Sequence, residues 1–222
     1  MKLIASILDK SRGSGPNSAE EFKKLFSEIN TDEWGAADVS ISVALQDGRS
    51  VWLYGDTFSG SNGFVHSTGI TQDGWDLHVS NGGKQLLPND SDSDIYWIEA
   101  AYESSPRILT VTAAPMYVGT KGVWDFSRRD PKSRNAQVNV LDNGDLQFIK
   151  WLDYVNAPTQ YQDFKVVGPN HFTYAEVSHP QFNLKSGKTL VTICQNWDDD
   201  FSNHFVNGKL RYDDFRPLFV ER

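Results

Sequence analysis

In the stretch 34–60, WGAADVSISVALQDGRSVWLYGDTFSG, Asp38 opens one strand-like run and Asp56 closes the next. Two carboxyl groups held close together are what glycoside hydrolysis requires. One, protonated, assists the leaving oxygen, while the other, ionised, activates water or attacks the sugar. Like charges at short range separate the two pKa values without further help. The same residues also suit a structural task, because aspartates before strands and turns cap loops and satisfy backbone amides.

The elements that would position them follow from period-two alternation. Ile41, Val43 and Leu45 fall on one face of the first run, and Val51 and Leu53, with Trp52 and Tyr54 between and after them, continue the pattern in the second. Asp47-Gly48 between them predicts a hairpin with a type I′ turn or a near relative, in which both central residues take positive φ. An antiparallel pair then places the start of the first strand beside the end of the second, so Asp38 and Asp56 are expected at the same edge of the sheet.

Other residues are candidates for the surroundings of such a pair. Trp34 and Trp197 are stacking candidates, and His66 and His179 can hydrogen-bond a sugar hydroxyl or an aspartate; Ser40 and Ser67 flank the same stretch. Glu176, Glu99 and Glu103 can each supply a third carboxyl group, Glu176 being the candidate for the acid role. Each also has a structural reading, as a core tryptophan, a turn histidine or a carboxylate on a half-exposed strand. Asp90, Asp92 and Asp94 alternate as hard-cation ligands sometimes do. They lack the glycine and the downstream bidentate glutamate of a calcium loop, so a solvated acidic loop is expected and no metal is assigned.

Across 222 residues the chain is 39% hydrophobic and 13% aromatic, enough for the core of a single domain over 1–222. With 29 acidic against 21 basic residues the net charge is −8, and no basic stripe is present to neutralise a phosphate backbone, which excludes nucleic acid as an expected partner. The single Cys194 lies in the apolar run TLVTIC and reads as a small buried hydrophobe. The N-terminal MKLIASILDK is too short in its apolar part for a cleavable signal, and no run approaches the ~20 residues that span a bilayer. A soluble protein is expected, acting outside a cell only after lysis, by another export route or as part of a virion.

AEEFKKLFSEI at 19–29 has Phe22, Leu25, Phe26 and Ile29 at helical spacing and is the one expected helix. The rest alternates short strand-like runs with turns such as DNGD at 142–145 and KSGK at 185–188. Hairpins recurring at about the ~40–50-residue interval of a four-stranded blade point to an all-β, propeller-like fold. The apolar run 2–7 is expected to complete the last blade by pairing with a C-terminal strand.

WGAADVSIS, DGRSVWLYGDTFSG and FVHST resemble the first blade of the β-propeller glycoside hydrolases that include the mycobacterial and phage endo-D-arabinofuranases. SHPQFNLKSGKTLVTICQNWDDD and YDDFRPLFVER are similar to that family's closing blade, and YWIEAAYE to a middle one. The resemblance implies a propeller, nominally five-bladed and here of three to five blades, with blades lost or shortened between 105 and 165. It also implies an axial active site with two essential aspartates, at Asp38 and Asp56. The expected activity is cleavage of a furanose-containing polysaccharide such as D-arabinan, with no cofactor. The rival expectation is a non-catalytic carbohydrate-binding or virion structural protein on the same scaffold, with virion or homo-oligomeric partners.

Overall fold

The computed structural model of the chain describes residues 15–120, 126–157, 172–196, 205–206, 209–212 and 215–222. Strands make up 52% of it, about twice the share in an ordinary globular domain, and every described pairing is antiparallel. The chain is all-β.

The first strands are β1 (Ala36–Ala37), β2 (Ser40–Ala44), β3 (Ser50–Tyr54), β4 (Thr57–Ser59), β5 (Gly63–Val65), β6 (Thr68–Asp73) and β7 (Asp76–Val79). They form two sheets, a four-stranded β2-β3-β6-β7 and a small β1-β4-β5. A second large sheet follows, from β8 (Asp94–Ser105), β9 (Ile108–Val118), β10 (Phe126–Arg128), β11 (Lys132–Val140) and β12 (Leu146–Asn156). In it β8 runs along one edge of β9, while β11 and then β10 occupy the other. The third sheet is β13 (Phe172–His179), β14 (Leu190–Asn196) and β17 (Leu218–Glu221), with β15 (Phe205–Val206) and β16 (Lys209–Leu210) as a separate ribbon.

The four-stranded sheet lies in the middle. Ile41, Val43, Val51 and Leu53 pack against Ile98, Val111, Val138 and Leu146 of the second sheet. The opposite side, with Trp52, Tyr54 and Ile70, meets Phe22, Phe26, Leu184 and Leu190. All five residues of β3 are therefore buried, and its alternation sorts residues between two cores rather than between core and solvent. Trp52 stacks on Phe182 at 5.2 Å and gives its N–H to Gln72 at 2.8 Å, so its polar end is satisfied inside.

The helix, α1, spans Ala19–Ser27, with the Ser18 hydroxyl accepting the Glu21 N–H at its start. Its last turn tightens through Ile29 N–H to the Phe26 carbonyl, so it stops short of the expected residue 29. The Ala19 N–H is received by Glu221 at the far end of the chain.

The turn chemistry differs from expectation. At Asp47-Gly48 only Gly48 has positive φ (96°), with Gly48 N–H bonded to the Leu45 carbonyl and Leu45 N–H to the Arg49 carbonyl. That is a type I turn closed by a left-handed glycine rather than a type I′ turn. The 141–145 turn repeats it, with Gly144 at φ 93° and the equivalent bonds from Gly144 and Leu141.

A ring of blades is not established. Among the described residues only the central sheet has four strands in the chain order of a blade, and no sheet closes into a barrel. Where blades were expected to be missing, β9, β11 and β12 run for 11, 9 and 11 residues, longer than the ~5–6 of a common strand. The expected closing strand at 2–7 lies outside the described residues.

Candidate active site

Asp38 and Asp56 lie directly opposite one another. The register that pairs Ser40 with Tyr54 in β2–β3 also pairs Ala37 with Thr57 in β1–β4, and between them Asp38 N–H donates to the Asp56 carbonyl at 2.9 Å. The aspartates meet at one end of the β2–β3 ladder, as the hairpin implies, and beyond them the pairing resumes as β1–β4, so they sit at the break between two sheets. Two irregularities make that break. The Asp38 carbonyl takes the N–H of Gly55 instead of Asp56, a local break in a ladder whose register is the same on either side. Val39 then has φ 46°, a left-handed conformation costly for a β-branched residue, with its N–H bonded to the Cys194 sulfur at 3.0 Å.

Gly55 is needed for space. A Cβ there would lie 2.5 Å from Asp38 Oδ1, so the Asp38 carboxyl occupies the space beside Gly55. Thr57 completes the turn, its hydroxyl donating to the Gly55 carbonyl and pairing with Thr68.

The Asp56 side chain is 12% exposed. Its Oδ1 receives the Trp97 Nε1–H at 2.9 Å and faces His66 Nδ1 at 2.8 Å. Indole nitrogen only donates, so Oδ1 accepts from Trp97 and shares one hydrogen with His66 Nδ1. Burial raises the Asp56 pKa above the ordinary aspartate value, against the opposing pull of His66 and Trp97. His66 is fixed in turn by its N–H to Gln85 at 2.8 Å. Phe64, on β5, stands edge-on to the His66 ring at 5.0 Å, and Phe126 edge-on to Trp97 at 4.8 Å.

Of the residues singled out for sugar contact, His66 joins the pair. Trp34 does not: it is 1% exposed and packs on Phe26 and Tyr54 in the core. Ser40 and Ser67 are buried, and Ser67 accepts the Leu87 N–H. His179 is also buried, held between Ser42 and Thr192 beneath Trp52, and burial drives its pKa down to about 3. These four sit inside the sheet stack, where no polysaccharide can reach them. Trp197 lies outside the described residues.

The candidate third carboxylates are occupied elsewhere. Glu176 is half-exposed and paired with Arg222 at 3.1 Å. Glu99 is buried in an ion pair with Arg128 at 2.7 Å and a hydrogen bond from Ser133. Glu103 accepts the N–H groups of Gln46 and Arg107. Asp90 and Asp94 face Arg129, and among the described residues no cluster has the ligands to hold a metal. Among them, too, no helix is long and apolar enough to cross a membrane.

No family model matches the chain, and no curated protein matches it, so neither comparison joins it to the arabinofuranases. A solved structure of a Bacteroides ovatus protein, provisionally described as a hydrolase, aligns with 90% of this chain and 88% of its own, with a TM-score of 0.54 and 11% identity. At that identity the likeness establishes a common fold.

Proposed function

We propose that the protein is a glycoside hydrolase acting on a furanose-containing polysaccharide such as D-arabinan, with Asp56 as the acid–base carboxyl group and Asp38 as its ionised partner. The observation that carries this reading is the backbone pairing of Asp38 with Asp56 at the break between two sheets, where the Asp56 carboxyl is buried with raised proton affinity. The common fold with a protein described as a hydrolase agrees with it, as does the resemblance of the GDT and closing segments. The propeller belongs to the same reading, with β2-β3-β6-β7 as its first blade.

In this mechanism Asp56 presents a proton on Oδ2 to the glycosidic oxygen while His66 and Trp97 hold Oδ1. Once the proton has left, those donors stabilise the carboxylate that remains. Asp38 attacks the anomeric carbon or activates water; the separation of the two carboxyl groups decides which.

Incubation with arabinan, arabinogalactan and other bacterial surface glycans tests the proposal through released oligosaccharides. Cleavage lost on Asp56→Asn supports it. Binding of these glycans without any cleavage would leave a carbohydrate-binding or virion structural protein instead.

A further inference from the structure

We infer that Phe64 is the stacking platform for the sugar ring next to the scissile bond, in a subsite selective for neutral sugars; this rests on the glycosidase reading. Phe64 is 47% exposed, whereas Trp34, the stacking candidate in the same stretch of sequence, is in the core. It lies on β5, the outer strand of the small sheet β1-β4-β5, and opposes Phe58 in register. Its ring meets Phe58 at 4.8 Å and the His66 ring edge-on at 5.0 Å. Because His66 touches Asp56, a sugar lying on Phe64 comes within one side chain of the acid–base carboxyl.

The chemistry defines the ligand. An aromatic face takes the C–H face of a furanose or pyranose. The His66 ring beside it can hydrogen-bond a ring hydroxyl through the nitrogen that does not face Asp56. The ionised Asp38 of the proposed pair and a chain charge of −8 disfavour uronic acids and phosphorylated sugars.

The test compares wild type, Phe64→Ala and Phe64→Tyr in two assays: kcat and KM on arabinan, and retention in gels containing arabinan, arabinogalactan or an acidic polysaccharide. Phe64→Ala is expected to raise KM and weaken retention ~10-fold, the size of one aromatic contact, with kcat within about twofold because the ring lies off the reacting bond. Phe64→Tyr restores both, and the acidic polysaccharide is not retained. Unchanged KM and retention in Phe64→Ala, with cleavage intact, overturns the subsite and leaves the hydrolase standing. Weakened retention without cleavage by the wild type keeps the platform and removes the hydrolase. Absence of both cleavage and retention in the wild type overturns both.

Discussion

The N–H of Asp38 donates to the carbonyl oxygen of Asp56 at 2.9 Å, and the carbonyl of Asp38 receives the N–H of Gly55 at the same distance. This backbone pairing holds the two residues opposite one another, so either carboxyl group can be altered without breaking it. Asp38→Asn and Asp56→Asn should each lower turnover by at least ~10²-fold, because an amide neither gives nor takes the required proton. Activity and melting temperature measured on the same samples check this; unchanged turnover in either variant removes that residue from the mechanism.

Asp56 has a stability signature of its own. Its folded pKa is raised, so the folded state holds the proton more tightly than the unfolded chain. The associated stabilisation is complete below the unfolded value of 3.8 and is lost as pH rises through the folded value. Asp56→Asn, which keeps an acceptor for Trp97 and His66, should melt at or above the wild-type temperature at pH 7, and the difference should vanish near pH 3. A variant less stable than wild type at neutral pH would show that the ionised carboxylate supports the fold.

Trp97→Phe keeps the ring but removes the N–H that favours ionised Asp56. The Asp56 pKa should rise further, moving the limb of the pH–rate profile that reports Asp56 to higher pH by several tenths of a unit or more. An unmoved limb would mean that the 2.9 Å contact does not influence the titrating group.

Gly55→Ala drives a methyl group into the space of Asp38 Oδ1. The carboxyl group can swing away, so folding should survive. Turnover should still fall by ~10-fold or more, since a misplacement of about 1 Å is costly at a reacting centre. Equal activity would place the working position of Asp38 elsewhere.

His179 should make the protein acid-sensitive. It stays neutral when folded, with a pKa of about 3 against 6.5 unfolded, so stability is intact above 6.5 and declines as pH falls, by roughly 1.4 kcal/mol per pH unit until the folded site titrates. Melting curves of His179→Gln should show a shallower decline over that range; identical slopes would assign the sensitivity to other groups.

The hairpin and the meeting of Asp38 with Asp56 were legible because alternation and a short turn fix the register of neighbouring strands. Its turn type was not, since Asp-Gly serves both geometries and only the hydrogen bonds of Leu45 and Gly48 distinguish them. Trp34, Ser40 and Ser67 are near the aspartates in sequence, but burial on both sides of the central sheet turns them inward. Trp97 was unreadable as a site residue for the opposite reason: it reaches Asp56 from another sheet, 41 positions along the chain. The irregular pairing at Gly55 and the left-handed Val39 carry no composition signal, because valine is an unexpected residue for that backbone.

β3 has neighbours on both edges and core on both faces, and Asp56 follows two residues after its end. Its amides should exchange with deuterium only through global opening. At the break, Val39 is held by a weak sulfur acceptor, so protection should drop sharply between Ser40 and Asp38. The aspartate pair thus hangs from a strand closed on both edges and both faces, at the end where its pairing is irregular.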